Sequence, residues 1–134
     1  MRVARGQALL ELALCAPVVL VLALGTVAGV QVASAHAGLE AATQAAAQAA
    51  ARAPSAQAAT AAAQTRFRGV VSGYPMRSAT LVLSLGDFDR SGIVTASSSA
   101  NIDLAWAAFL LLPRQITLHS QVRMQLEQWR SRSA

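Results

Sequence analysis

From Leu12 to Ala35 the chain carries no formal charge, and Gln31 is the only strongly polar side chain in the run. About 24 residues at 1.5 Å each are enough to cross a hydrocarbon core of roughly 30 Å. Arg2 and Arg5 precede the run, and the first titratable groups beyond it are His36 and Glu40. The basic flank predicts an N-terminus in the cytoplasm and everything after Ala35 outside. The apolar pattern then changes character without a break. Residues 33–63 are Ala-rich with interspersed Gln, a strong helix-forming composition. His36, Glu40, Gln44, Gln48 and Arg52 recur four apart and draw one slowly winding polar stripe. The remaining faces are mostly Ala and suit close packing against a sheet or other helices. One continuous helix is predicted from about Ala8 to Arg52, roughly 65 Å long. Pro54-Ser55 interrupts it, since proline supplies no backbone donor, and a shorter helix resumes to Gln64.

Beyond that point the period falls to two. Ser78 to Leu85 alternates and stops at Gly86. Asp87-Phe88-Asp89-Arg90-Ser91-Gly92 is turn chemistry, and Ile93 to Ser97 opens on β-branched residues. A hairpin is predicted, with a loop longer than the tightest kind. Gln115 to Glu127 alternates most cleanly, with Ile116, Leu118, Val122, Met124 and Leu126 on one face and Thr117, His119, Gln121, Arg123, Gln125 and Glu127 on the other. Ile102 to Leu112 is apolar, but at about 11 residues it is too short to span a bilayer. It reads as a packed cover containing Trp106 and ended by Pro113. The expected class is α+β: a long N-terminal membrane-spanning helix extended outside the membrane, then a small antiparallel β-sheet domain. The organisation that follows is a leader stub at 1–6, the spanning and extended helix at 7–65, and the sheet domain at 66–134.

Composition narrows the core. The chain of 134 residues is 54% hydrophobic but only 4% aromatic, and much of the apolar content is Ala, which adds little burial per residue. The core outside the membrane must therefore be small. The net charge of +5 comes from eleven basic residues, all Arg, with no basic run and no basic-aromatic stripe. A nucleic-acid groove clusters its charge, so no nucleic-acid partner is expected. Cys15 is the single cysteine and lies inside the apolar run, where it behaves as a small hydrophobe.

Within and beside the run, a few residues break the apolar rule. Glu11 sits just inside its mouth, where a charge is costly to insert. A carboxylate in lipid seeks a cation, which makes Glu11 an assembly candidate. The structural reading is a first-turn carboxylate favoured by the helix dipole and snorkelling to the interface. Pro17 lies a turn and a half further on and favours a kink. Gly25 and Gly29 form a small-xxx-small pair that lets another helix approach closely. Ala33-Ser34-Ala35 offers a rival reading as a secretory cleavage site, although the apolar stretch exceeds the usual 7–15 residues of a signal peptide.

Catalytic and metal motifs do not emerge. Asp87-x-Asp89-x-Ser91-Gly92 matches the opening of a calcium loop, but its twelfth position is Ser98 where a bidentate Glu belongs. The turn reading therefore dominates, with Asp103 the only nearby acid that could reach in. His36 and His119 have no ligand-spaced partners, Ser97 to Ser99 lack a nucleophile motif, and there is no Gly-rich phosphate loop. No catalysis, no cofactor and no metal are expected.

The block Arg5-Gly6-Gln7-Ala8-Leu9-Leu10-Glu11-Leu12-Ala13, with Pro17 following, resembles the TadE-like minor pilins of tight-adherence (Flp-type) pilus systems. There the pattern is a basic stub, Gly, Gln-Ala-x-x-Glu, an apolar run and an early Pro. The resemblance covers about the first 35 residues. It implies cleavage between Gly6 and Gln7 by a prepilin peptidase on the cytoplasmic face. Glu11 would then neutralise the freed amine of Gln7 in a neighbouring subunit. Leu12 stands where Flp-family members usually carry an aromatic, which suits a minor subunit better than the major pilin. The implied partners are the major Flp-type pilin, other minor pilins, the prepilin peptidase and the inner-membrane assembly platform. The implied location is the cytoplasmic membrane, N-terminus in, with passage into an extracellular pilus after processing. Two readings from other classes compete: a single-pass envelope protein that never polymerises and binds a ligand or partner through residues 66–134, and a small secreted domain released after Ala35.

Overall fold

One α-helix, α1 (Arg2–Arg52), carries the chain from its basic stub through the apolar run and into the Ala-rich segment without interruption. Its 51 residues span about 75 Å at 1.5 Å per residue. The structure is a computed structural model, and it describes residues 2–86 and 92–126. The helix starts earlier than Ala8 and passes through Pro17 as unbroken helix. It stops at Arg52, and Pro54 follows at once, as expected of a residue that cannot continue the ladder.

Ser55 caps the second helix, α2 (Ala56–Val71), its hydroxyl oxygen accepting the Ala58 N–H at 3.2 Å. That bond satisfies one of the orphan donors of the first turn. The helix runs to Val71, beyond the expected Gln64, because Phe67 is buried and Val70 packs against the core. Three strands follow: β1 (Arg77–Ser84), β2 (Ile93–Asp103) and β3 (Gln115–Gln125). They form one antiparallel sheet in the order β1-β2-β3. The expected hairpin is present, with Ser84 opposite Thr95 at its described end. The turn assigned to Asp87–Ser91 lies outside the described residues, as does Glu127 at the end of the third alternation. β2 is longer than expected. It continues through Ser97–Ser99 to Asp103, because pairing on both edges outweighs the weak strand preference of Ser. Ile102 and Asp103 thus belong to the sheet, and only Ala105–Leu110 forms a helical 3-10 turn before β3.

Both helices lie on one face of the sheet, α1 over β2 and β3 and α2 over β1. The side chains that meet there are small. Along α1, Ala35, Leu39, Ala42, Thr43, Ala46, Ala47 and Ala50 are buried. On the inward face of β2 they meet Val94, Ala96, Ser98, Ala100 and Ile102. Small residues on both surfaces let helix and sheet backbones approach closely, so an Ala-rich sequence can still exclude water. The polar stripe falls where the spacing puts it: His36, Glu40, Gln44, Gln48 and Arg52 are all exposed. His36 Nε2 lies 3.3 Å from Glu40 Oε1, an exposed one-turn pair of small energetic consequence.

Two details fix how α1 sits. Gly38 faces the Tyr74 ring, and any Cβ there would collide with it. Glycine costs a helix interior about 1 kcal/mol relative to Ala, so its presence in an Ala-rich helix reflects this close approach. Thr43 is wholly buried, and its Oγ1 donates to the Leu39 carbonyl at 2.7 Å. Its single proton is thereby used, so the hydroxyl of Ser98 on β2 must donate to Thr43 Oγ1. This pair pins the register of helix against sheet. Thr43→Val should cost about 1–3 kcal/mol because it orphans the buried Ser98 donor, whereas Thr43→Val combined with Ser98→Ala should recover most of that loss. A double-mutant cycle read by urea unfolding in detergent micelles checks it, and additive single effects would exclude the pairing.

Candidate functional site

Most of the functional candidates lie on the N-terminal part of α1, which is exposed around its whole circumference. An 18-residue window of this helix has a mean hydropathy of 2.4 and is wholly unburied. Leu9, Leu10, Leu12, Leu14, Val18, Val19, Leu20, Leu22 and Val27 are all exposed. Side chains this apolar on every face suit lipid, not water. One helix can therefore span a membrane, and the chain is consistent with a single-pass protein.

The boundary of that span is set by tertiary packing. Ala28 and Ala35 are buried in a second small cluster with Ile102 and Leu104, and Val32, Ile116 and Leu118 pack against it. The last two turns of the apolar run are thus committed to the sheet domain. The free stretch is Ala8 to Val27, about 20 residues, which is still enough for a core of roughly 30 Å. This correction from Ala35 bears on the secretory reading. Ala35 lies in the middle of a continuous helix and is fully buried, so release after it would remove Ala28, Val32 and Ala35 from a cluster they help to build.

Gly6, Gln7 and Glu11 are all exposed on the first turns of α1. Gln7 and Glu11 are one helical turn apart on the same face. At 100° per residue, Gln7, Glu11, Gly25 and Gly29 fall within about 40° of one another around an ideal helix. The candidate carboxylate and the small-residue pair thus share one stripe, while Pro17 lies off it. The described ion pairs are His36–Glu40 and Arg77–Asp103, so no described cation pairs with Glu11. A carboxylate in this position can be neutralised by a cation of another chain or by a freed amine. Gly25 and Gly29 face a shallow apolar groove lined by Val32, Leu104, Leu112, Ile116 and Leu118. A Cβ at either glycine would meet nothing within 4 Å, so the chain's own domain does not require them to be Gly.

The remaining candidates are placed as follows. Asp87, Asp89 and Ser91 lie outside the described residues. Asp103 is engaged elsewhere: its Oδ2 lies 3.1 Å from Arg77 Nη1 and its Oδ1 accepts the Ala105 N–H at 2.9 Å. Ser98 is spent in the buried pair with Thr43, and Ser99 shares a 2.9 Å hydroxyl contact with Thr80. His36 and His119 are exposed on different elements. Among the described residues no three His, Cys, Asp or Glu side chains gather. Cys15 is free and exposed on the lipid-facing helix.

One feature the sequence pattern did not mark as a site is the connection between β2 and β3. Leu104 and Ala107 are buried, but Trp106, Phe109, Leu111 and Leu112 point outward. Leu111 adopts the left-handed conformation at φ 61°, which turns the chain at the tip of the loop. Leu110 and Leu112 border a groove with Val21, Leu22, Gly25 and Thr26 of α1.

Residues 6–52 match the family model for TadE-like proteins. The match begins at the candidate cleavage glycine and ends where α1 ends, so it covers the helix and leaves the sheet domain outside it. No curated protein and no solved structure matches the chain.

Proposed function

We propose that the chain, whose N-terminal helix matches the TadE-like family model over residues 6–52, is associated with the Tad pilus machinery in the membrane and acts there as a minor pilin. The observation that carries the reading is the arrangement of α1. An exposed, wholly apolar stretch of spanning length carries one carboxylate, Glu11, one turn beyond the Gly6-Gln7 bond. In this role the chain inserts with its N-terminus in the cytoplasm. A prepilin peptidase removes Met1 to Gly6, and the subunit then packs through α1 into the fibre or at its tip or base. The charge of Glu11 is neutralised there by the N-terminal amine of an adjacent subunit. An intramembrane carboxylate left without a cation is costly, so this pairing both drives association and sets axial register.

The sheet domain serves as the outward-facing part of the subunit. Its exposed face mixes small polar side chains, among them Thr80, Thr95, Ser97, Ser99, Asn101 and Thr117, with Gln121 and the exposed Val82 and Ile93. Such a surface suits contacts with the major pilin and sister minor pilins. The protein performs no reaction in this reading and needs no cofactor.

Intact mass and N-terminal sequencing of the protein from membranes of its own host test the proposal. The expected N-terminus is Gln7, free or cyclised. A start at Met1 would leave an unprocessed anchor and overturn the pilin assignment, and a start at His36 would identify a secreted domain instead.

A further inference from the structure

We propose that the loop joining β2 to β3, residues 104–113, is a second membrane contact: it beds into the lipid leaflet from which α1 emerges and holds the sheet domain against the bilayer surface. The proposal rests on α1 spanning a membrane and not on fibre assembly.

Leu104-Ala105-Trp106-Ala107-Ala108-Phe109-Leu110-Leu111-Leu112-Pro113 contains no charged and no strongly polar side chain. A loop of that composition should fold inward to escape water, yet half of it does not. Leu111 is 96% exposed, Phe109 61% and Trp106 40%. Burial of such side chains is favourable, so a conformation that holds three of them outward is unfavourable in water. A left-handed Leu at the tip adds backbone strain. Both are offset if the surroundings of the tip are hydrocarbon.

The position of the loop identifies that occupant. Leu110 and Leu112 lie beside Val21, Leu22, Gly25 and Thr26 of α1. Those helix residues belong to the free apolar stretch that ends at Val27. From Val21 to Val27 the helix rises about 9 Å. The loop therefore reaches no more than about that far below the level where α1 leaves the lipid, which matches the 5–10 Å depth of interfacial elements. Its exposed surface continues that of Val21 and Leu22, so one apolar surface runs from helix to loop.

Polar groups mark the upper edge. Gln31, Arg77, Asp103 and Trp106 border one shallow depression, with the Arg77–Asp103 ion pair across it. Arg114 is exposed directly after Pro113. This order, apolar tip, then Trp, then Arg, is the order of a membrane interface, where Trp sits at headgroup level and Arg meets lipid phosphate. The consequence for function is orientation. A single helix lets its outer domain swivel, whereas two points of insertion fix which sheet face is presented along the membrane.

Depth-dependent fluorescence quenching tests this on the full chain. A Trp129→Phe background leaves Trp106 as the only tryptophan, reconstituted in phosphatidylethanolamine/phosphatidylglycerol vesicles at high dilution. Lipids brominated on their acyl chains should roughly halve Trp106 emission, while aqueous acrylamide should quench it weakly. The Phe109→Asp, Leu111→Asp variant retains α1 and both buried clusters, and it should reverse the two sensitivities. Strong acrylamide quenching in the parent would place the loop in water and overturn the proposal. So would shielding from both quenchers, which would mean that a second copy covers the loop.

Discussion

Glu11→Ala should leave the protein folded, inserted and cleaved, but exclude it from the fibre. Glu11 lies on the free part of α1, remote from both buried clusters, so its removal disturbs no packing. What changes is the energy of association. A charge at the centre of a membrane helix costs about 2.5–3.5 kcal/mol on insertion scales; that is the upper bound for Glu11 near the end of the span, and pairing with a neighbour's amine relieves the cost. Losing the attraction corresponds to at most roughly a hundredfold loss in association, since 1.4 kcal/mol is a factor of ten. Glu11→Gln separates charge from hydrogen bonding and should behave like Ala if the amine is the partner. The measurement is the ratio of subunit in sheared fibres to subunit in membranes. Normal incorporation of both variants would show that Glu11 is only a favourable first-turn carboxylate. Failure of cleavage would instead place Glu11 in peptidase recognition.

Leu39→Ala should be the most damaging change in the outer domain. Leu39 is among the largest fully buried side chains, alongside Ile102, Leu104 and Val94. Its neighbours in the core are mostly Ala, which cannot shift to fill the space a lost isobutyl group leaves. A buried Leu→Ala change costs about 2–5 kcal/mol, and whole small domains are stable by only about 5–15 kcal/mol. A melting temperature lower by roughly 10–30 °C is expected. Because α1 stays helical in detergent regardless, the readout must be tertiary: near-UV dichroism of the aromatics, or protection of β2 amides from exchange. Leu39→Met keeps most of the volume and should cost less than about 1.5 kcal/mol. Equal effects of Ala and Met would mean that Leu39 is not the anchor its burial implies.

The sequence by itself determined the elements of this protein. A charge-free run of spanning length needs no partner to be recognised, since lipid rewards apolar side chains wherever they point around the helix. The four-residue stripe from His36 to Arg52, the break at Pro54 and the two-residue alternation of Gln115–Gln125 are equally local, and the structure reproduces each of them. The N-terminal motif was legible for the same reason, because it is an order of residues, Gly6, Gln7 and Glu11, along one helix. Length was harder to read. α2 passes Gln64 because Phe67 finds a buried site, and β2 passes Ser97 because it is paired on both sides.

Only the tertiary structure decided where the free apolar stretch of α1 ends and which small residues matter. Val27 and Val32 are the same residue type in one apolar run, yet one is exposed and the other packs against Ile102 and Leu104. Thr43 and Ser98 are weakly polar residues in weakly polar segments, and nothing but the helix-sheet contact makes them partners. Gly38 reads as a flaw in an Ala-rich helix until the Tyr74 ring is seen to fill the place of its side chain. Ile102 to Leu112 reads as a packed cover by composition, because hydrophobicity says that a segment avoids water without saying what takes its place, and the structure leaves Trp106, Phe109 and Leu111 exposed. That outcome depends on which surfaces chain folding brings level with the spanning helix, and on where the Ala-rich core has no room left.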